Sequence, residues 1–320
     1  GIGSWYHWGR TARLLKKRGI GVAKFLPPRL IPLNVTLNLR NHRKILVVDQ
    51  RIAFVGGMNI LAAVPPVDAS LLDKPCEEPL VGVEQSVDVN SHSAKQIRDI
   101  HFRVEGPAVR SIESVFADDW LFATRKALPF SGVIPASAGD MLCRVICDGP
   151  NRDIDKLTRL LLAAIGSARH QIRIMSPYFL PPKSIELALQ TAAMRGVDVR
   201  LYLPQRNNFH VMDWAMRHVV PHYLRKGVKV YMQDGGFIHS KLFMVDDIYS
   251  IIGSSNMDAR SLRLNFELVL ESYSTELNQH LLGFFEQSER DAQSLKIDDM
   301  QYSLLARLRN SLCWLFSPYL

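Results

Sequence analysis

NHRKILVVD (residues 41–49) and IHSKLFMVD (residues 238–246) decide the reading of this chain. Each carries a histidine, a lysine and an aspartate at the spacing H-x-K-x4-D: His42, Lys44 and Asp49 in the first, His239, Lys241 and Asp246 in the second. Seventeen residues after each histidine stands an asparagine, Asn59 in GGMN and Asn256 in SSN, with Gly56 and Gly253 three residues before it. One such triplet is a modest motif. Two, 197 residues apart with matched glycine and asparagine offsets, indicate duplication of one lobe.

The four residues after each lysine are apolar, Ile45 to Val48 and Leu242 to Val245. A short apolar run with β-branched and aromatic members reads as a strand buried on both faces. Positions i and i+2 share a face of a strand, so His42 and Lys44 are expected to point one way, as are His239 and Lys241. Asp49 and Asp246 have the opposite parity and stand at the strand ends, as orienting rather than reacting groups.

Two such strands meeting across a pseudo-twofold axis make a pocket of two histidines, two lysines and two asparagine amides. That set suits a tetrahedral phosphate. Lysine binds phosphate as a point charge, and amide donors stabilise the charge of a pentacovalent transition state. A neutral histidine can attack phosphorus while a protonated one delivers a proton to the leaving alkoxide. The two roles need different pKa values. The bland alternative is buried polar strand residues with local partners, which the doubled pattern disfavours.

These motifs, with FVGGMNI, HFRVEGPAV, SPYFLPP, GSSNMDARSLRLNFE and LFSPYL, resemble the phospholipase D superfamily, and within it the bacterial cardiolipin synthases. The resemblance covers most of the chain. It implies an α/β fold of two pseudo-twofold-related lobes, each with a mixed, largely parallel sheet flanked by helices. It implies transfer of a phosphatidyl group from phosphatidylglycerol to a second phosphatidylglycerol through a phosphohistidine, releasing glycerol. A hydrolytic phosphodiesterase acting on phospholipid or nucleic acid is the alternative; a catalytically silent membrane scaffold is a third reading, against which both intact motifs argue. The implied partners are phosphatidylglycerol, other anionic phospholipids and a membrane surface, with nucleic acid disfavoured. The implied location is the bacterial cytoplasmic membrane. No cofactor is expected, and no metal, because the lysines already supply positive charge.

By the same resemblance, Glu267 in LNFE is the carboxylate partner of His239, and Asp99 in RDIHFRVEGP that of His42, with Ile97 where the family usually has tryptophan. The amino-terminal motif of the family supplies the nucleophile, so His42 is expected to attack and His239, kept protonated by Glu267, to act as acid and base. Ser254 and Ser255 are candidate hydroxyl donors or local hydrogen-bonders. Asp258 and Arg260, in NMDARS, match the family and are expected to brace their turn or form an ion pair. Tyr178 in SPYF lies at a strand's carboxyl end, where open α/β sheets place ligands, or else packs as an aromatic.

The chain has 320 residues, 47% of them hydrophobic, enough for one large core or two ordinary domains. A net charge of +8 favours acidic partners without choosing between lipid and nucleic acid. The four cysteines, Cys76, Cys143, Cys147 and Cys313, match no zinc or redox spacing. No run of eighteen apolar residues is present. Strand and helix patterns alternate over 141–147, 152–168, 170–176, 183–195, 198–203 and 209–226 before the second motif. Only one helical stretch, about 5–18, precedes the first, so about sixty residues of the first lobe are expected to be missing from a fragment whose membrane helices lie further upstream. The lobes divide at a Pro-, Ser- and Gly-containing linker, 127–140, between residues 1–126 and 141–320. A stretch from about 60 to 98 with four prolines reads as a long surface insertion in the first lobe, either disordered or gating. The tail MQYSLLARLRNSLCWLFSPYL sets six large apolar residues on a helical stripe flanked by Arg307 and Arg309. Such a stripe packs on a core or lies in a membrane interface, where Trp5, Tyr6 and Trp8 could join it.

Overall fold

The structure, a computed structural model, describes residues 10–27, 39–59, 85–87, 96–129, 134–150, 153–234 and 236–319. The amino-terminal part contains α1 (Arg10–Lys17), β1 (Arg40–Asn41), β2 (Ile45–Val48), β3 (Ile52–Gly56), β4 (Gln85–Val87), β5 (Gln96–Arg98), β6 (His101–Glu105) and α2 (Ala108–Thr124). The next stretch runs β7 (Leu142–Asp148), α3 (Lys156–Ser167), β8 (Gln171–Met175), β9 (Phe179–Leu180), α4 (Lys183–Met194), β10 (Asp198–Pro204), α5 (His210–Leu224) and β11 (Lys229–Gln233). After it come β12 (Phe237–Ile238), β13 (Leu242–Val245), β14 (Tyr249–Gly253), β15 (Met257–Asp258), β16 (Asn265–Tyr273), α6 (Thr275–Arg290), β17 (Ala292–Ser294) and α7 (Leu304–Leu315).

A nine-stranded sheet runs β1-β16-β14-β13-β8-β10-β11-β17, and β7 also pairs with β16. It is mixed, as expected. Parallel pairing is confined to β8-β10-β11 and to β1 on β16, whereas β13, β14, β16, β7 and β17 pair antiparallel. The parallel strands follow from the α4 and α5 crossovers, which are long enough to return the chain to the same end of the sheet. A second sheet, β2-β3-β6, carries the first motif's strand.

The large sheet buries both faces. Leu161, Ile165, Leu189 and Val219 of α3, α4 and α5 cover one, against Ile174, Leu201 and Phe243. Phe284 and Phe285 of α6 share the other with Ala53, Val55, Val104 and Ile112 of the amino-terminal sheet and α2, against Leu242, Met244 and Leu268. The two sheets therefore close one core between them.

The two motif strands differ. β13 lies between β8 and β14 and is buried on both faces, as its apolar run predicts. β2 alternates instead: Ile45 and Val47 pack inward, while Leu46 and Val48 are 56% and 39% exposed. Among the described residues β2 is an edge strand paired with β3 alone, so only one of its faces meets a layer. The expectation of double burial fails there.

The 60–98 stretch is not loop throughout. β4 and β5 pair with each other, and β5 pairs with β12; the rest of that stretch lies outside the described residues, as do Trp5, Tyr6, Trp8 and Cys76. The linker's described parts, 127–129 and 134–140, form neither helix nor strand. No helix among the described residues is long and apolar enough to cross a membrane. α7 does not bury its leucines: its one buried residue is Asn310.

The contrast between the motif strands has a measurable consequence. Phe243→Ala should cost about 3–5 kcal/mol, the range for deleting a buried aromatic side chain. Leu46→Ala, at an exposed site, should stay within about 1 kcal/mol. Urea midpoints of the two variants, at unchanged m-value, check this.

Candidate active site

Each histidine sits in a three-residue link between two sheets. The chain enters the first link from β1, which pairs parallel to β16, Arg40 opposite Asn265 and Asn41 opposite Phe266. The His42 N–H then donates to the Phe266 carbonyl at 2.9 Å, and the chain leaves for its own sheet as β2. The second link repeats this. β12 pairs parallel to β5, the His239 N–H donates to the Arg98 carbonyl at 2.8 Å, and the chain continues as β13. In both links the backbone hydrogen bond is made to the residue immediately before an acid, Glu267 in one and Asp99 in the other.

The carboxylate partners are consequently exchanged between the lobes. His42 Nδ1 donates to Glu267, 2.9 and 3.0 Å from its two oxygens. His239 Nδ1 donates to Asp99 Oδ2 at 2.8 Å. This corrects the expected pairing of Glu267 with His239 and Asp99 with His42. The acids were matched correctly as equivalents: Gly56 faces His101 and Gly253 faces Val269, and Asp99 and Glu267 each stand two residues before those partners. The sequence offset points within a lobe, but strand pairing across the lobes decides which histidine each acid meets.

Glu267 is fully buried. Ser254 Oγ donates to its Oε2 at 2.5 Å and Asn265 Nδ2 to its Oε1 at 3.2 Å. Burial alone would push its pKa up, yet His42, Lys44 and the Ser254 hydroxyl outweigh this and hold it below its ordinary value. Glu267 is therefore an anion clamped on His42. Ser254, a candidate substrate donor, serves this carboxylate and also accepts from the Leu268 N–H. Asn265 was not singled out from the sequence, although its i−2 position from Glu267 on one strand face was the available signal. Nor was Asp119. It holds Arg43 Nη1 at 2.6 Å and Asn41 Nδ2 at 2.7 Å, and Arg43 Nε donates to the Glu267 carbonyl. The residue between His42 and Lys44 thus pins the link in place.

Asp99 is buried as well, and its carboxylate accepts the Ile100 N–H at 2.8 Å. A Cβ on Gly57 would lie 2.4 Å from its Oδ1, so the GG of GGMN leaves room for the acid.

The lysines complete the pocket. Lys44 Nζ donates to the His42 carbonyl at 2.8 Å, and Lys241 Nζ to the His239 carbonyl. Burial lowers Lys44 to about 8, opposed by Glu267 and Asp99. Burial lowers Lys241 to about 7, with Lys44 adding repulsion against the attraction of Asp99 and Glu267. His239 is driven down to about 4 by burial and then by Lys241, against the pull of Asp99. It is neutral at pH 7. The two motifs feel one another electrostatically, as one site.

The remaining candidates divide. Asn256 is buried with its Oδ1 unpartnered, whereas Asn59 is exposed. The matched offsets predict equal roles, and the two amides are not equivalently placed. Asp246 accepts the backbone N–H groups of Arg169, His170 and Gln171 and so ties the α3–β8 turn to the end of β13. Asp49 is exposed in the β2–β3 turn. Tyr178 stands at the rim: its hydroxyl donates to Asn208 at 2.7 Å, its ring lies 6.2 Å from Phe237, and Phe237 lies 5.8 Å from His239. Asp258 accepts the Ser261 N–H at 2.6 Å and braces its turn. Among the described residues no three His, Cys, Asp or Glu side chains are grouped to hold a metal ion.

The family model described as "Cardiolipin synthase, PLD-like domain" matches residues 161–288. Cardiolipin synthases of Geobacillus sp. (strain WCH70) and Halalkalibacterium halodurans are each 33% identical to this chain over its whole length, and the chain spans 60% of each. The crystal structure of phosphatidylserine synthase from Haemophilus influenzae Rd KW20 shares the fold, with a TM-score of 0.59 at 14% identity over 88% of this chain and 71% of that one.

The exchanged pairing predicts which ring each acid controls. Glu267→Gln should abolish the downfield Nδ1–H proton resonance of His42 and leave that of His239, while Asp99→Asn should do the opposite. Proton NMR of the two variants distinguishes this from pairing within a lobe, which reverses the pattern.

Proposed function

We propose that the chain is a member of the phospholipase D superfamily and a phosphatidyltransferase of the cardiolipin synthase type, joining two phosphatidylglycerol molecules and releasing glycerol; its similarity to the cardiolipin synthase domain model and to cardiolipin synthases supports this reading. One observation carries the reading: two histidines, each clamped at Nδ1 by a buried carboxylate and flanked by a lysine, share one site. With Nδ1 occupied, each ring has only Nε2 to offer to phosphorus or to a leaving oxygen. Similarity to cardiolipin synthases supports the choice of lipid over nucleic acid, and of a lipid alcohol over water as acceptor.

The donor's phosphodiester lies between Lys44 and Lys241, whose ammonium groups regain their charge beside the anion. The buried amide of Asn256 supplies a further donor. One histidine Nε2 attacks phosphorus, the bond from phosphorus to the glycerol oxygen breaks, and the other histidine protonates that oxygen. Glycerol leaves and a phosphatidyl-histidine remains. The second histidine, now neutral, removes the proton from the terminal hydroxyl of another phosphatidylglycerol. That oxygen displaces the first histidine and gives cardiolipin. A covalent intermediate lets the acceptor be chosen after the first alcohol has gone.

The exchanged partners also revise the roles. His239 was expected to be the acid because Glu267 would keep it charged, but Glu267 is held by His42. A neutral His239 is the form that attacks, and His42, its Nδ1 held by buried anionic Glu267, is left to serve the leaving oxygen through Nε2. Phosphoenzyme trapping with a donor bearing a good leaving group decides the order. Label should accumulate in His42→Ala and be absent from His239→Ala; the reverse result restores the order implied by the family.

The reaction itself is tested by incubating the protein with phosphatidylglycerol vesicles in EDTA. Cardiolipin and glycerol in equal amounts are expected; phosphatidic acid as the sole product would make this a hydrolase. The pH profile follows from the free site. Attack needs neutral His239 and binding needs charged lysines, so kcat/KM should rise through about pH 4 and fall above about pH 7–8, as Lys241 and then Lys44 lose their protons.

A further inference from the structure

α7 is turned inside out. Leu304, Leu305, Leu308, Leu312, Leu315 and Phe316 form one stripe of the helix and all are exposed, Leu305 at 78%. The opposite side faces α5: Asn310 is 2% exposed, Ser311 Oγ lies 3.2 Å from His218 Nδ1, and Trp314 packs 4.9 Å from the His218 ring. Arg309 places its guanidinium 4.5 Å over the Trp214 ring. α7 therefore docks on the protein through polar and aromatic contacts and leaves its apolar face without cover among the described residues. A soluble helix of this composition would be expected to lie the other way round.

We propose that this stripe is a membrane-docking surface, seated in the interface of an anionic bilayer. Charge selects the occupant. On a helical projection Arg307 and Arg309 border the stripe on its two sides, and residues 303–320 contain no acidic residue. Arg307, exposed beside the leucines, reaches lipid phosphates while its stem stays with the apolar face, whereas Arg309 is held over Trp214. The same flanks oppose a second copy, since pairing two stripes would bring arginine rows together. Position gives a second argument. α5, the helix that carries α7, begins two residues after Asn208, which accepts from the Tyr178 hydroxyl, and the Tyr178 ring reaches the His239 ring through Phe237, 6.2 Å and 5.8 Å apart. A bilayer touching α7 is thereby connected through one rigid helix to the site that must take its lipid. The choice of lipid as occupant rests on the phospholipid reading of that site.

The test uses the 320-residue chain and a variant with Leu305→Glu, Leu308→Glu and Leu312→Glu, all exposed positions outside the pocket. Binding is measured by cosedimentation with vesicles of phosphatidylserine and phosphatidylcholine, which need not be turned over, and with phosphatidylcholine alone. The unaltered chain should bind the anionic vesicles at least tenfold better than the neutral ones. The variant should lose at least tenfold of that binding at an unchanged Tm. Binding equal to that of the unaltered chain overturns the proposal. So does light scattering that shows self-association abolished by the variant with vesicle binding intact, which gives the surface to a second copy. Loss of vesicle binding in a chain that makes no cardiolipin upholds the docking surface and overturns the transferase reading instead.

Discussion

Two short parallel pairings govern the site: β1 against β16 and β12 against β5. Each is only two residues long, and each ends where a histidine begins. A parallel pair fixes the next backbone hydrogen bond, His42 to Phe266 and His239 to Arg98. That bond places the ring beside the acid one residue further along the other strand. The geometry of catalysis is thus set by backbone register, with the side chains following. Neither histidine can be positioned by its own lobe. Residues 1–126 contain His42 but not its acid Glu267, and residues 141–320 contain His239 but not its acid Asp99, so packing the amino-terminal strands against the large sheet and assembling the reactive groups are one event.

Burial does the second part of the work. Water would screen the charges of two lysines, two acids and two histidines. In the closed pocket, burial lowers both lysines and lowers His239, while cations and hydroxyl donors hold Glu267 ionised. On the proposed reading, a phosphodiester bound between Lys44 and Lys241 favours the charge that burial disfavours, so binding energy goes to the group that reacts. The near-symmetric sequence yields an unsymmetric pocket because the surroundings differ: Lys241 lies against the His239 ring, whereas His42 has a more deeply buried acid with more donors.

Much of this is readable in the chain. The alternating strands and helices from β7 to β13 fall where hydrophobic periodicity places them, because those elements bury continuous apolar stripes in one core. The paired histidines, lysines and aspartates are visible through repetition alone, and the equivalence of Asp99 and Glu267 is recoverable despite 29 additional residues between His42 and Asp99. The partner exchange is not readable. Sequence offsets measure distance along one lobe, whereas the pairing is a contact between strands of two residues each, too short to leave a periodic signal. The same limit hides Asp119, whose contribution is to hold Arg43 and Asn41 from a helix 76 and 78 residues away. It also explains Leu46 and Val48. An apolar run states that a strand can be buried on both faces, and only the layers around it determine whether it is.

The exposed α7 stripe follows from the same reasoning about faces. Its amphipathic pattern was clear from the sequence, but a pattern fixes only that one face differs from the other. Which face meets the protein depends on the surface available. α5 presents Trp214 and His218 four residues apart, and such a row accepts guanidinium, hydroxyl and indole groups better than leucines. An aromatic and imidazole row therefore selects the polar side of α7 and drives its apolar side outward. On the docking proposal, the apolar face that α5 leaves uncovered among the described residues is the face that meets lipid.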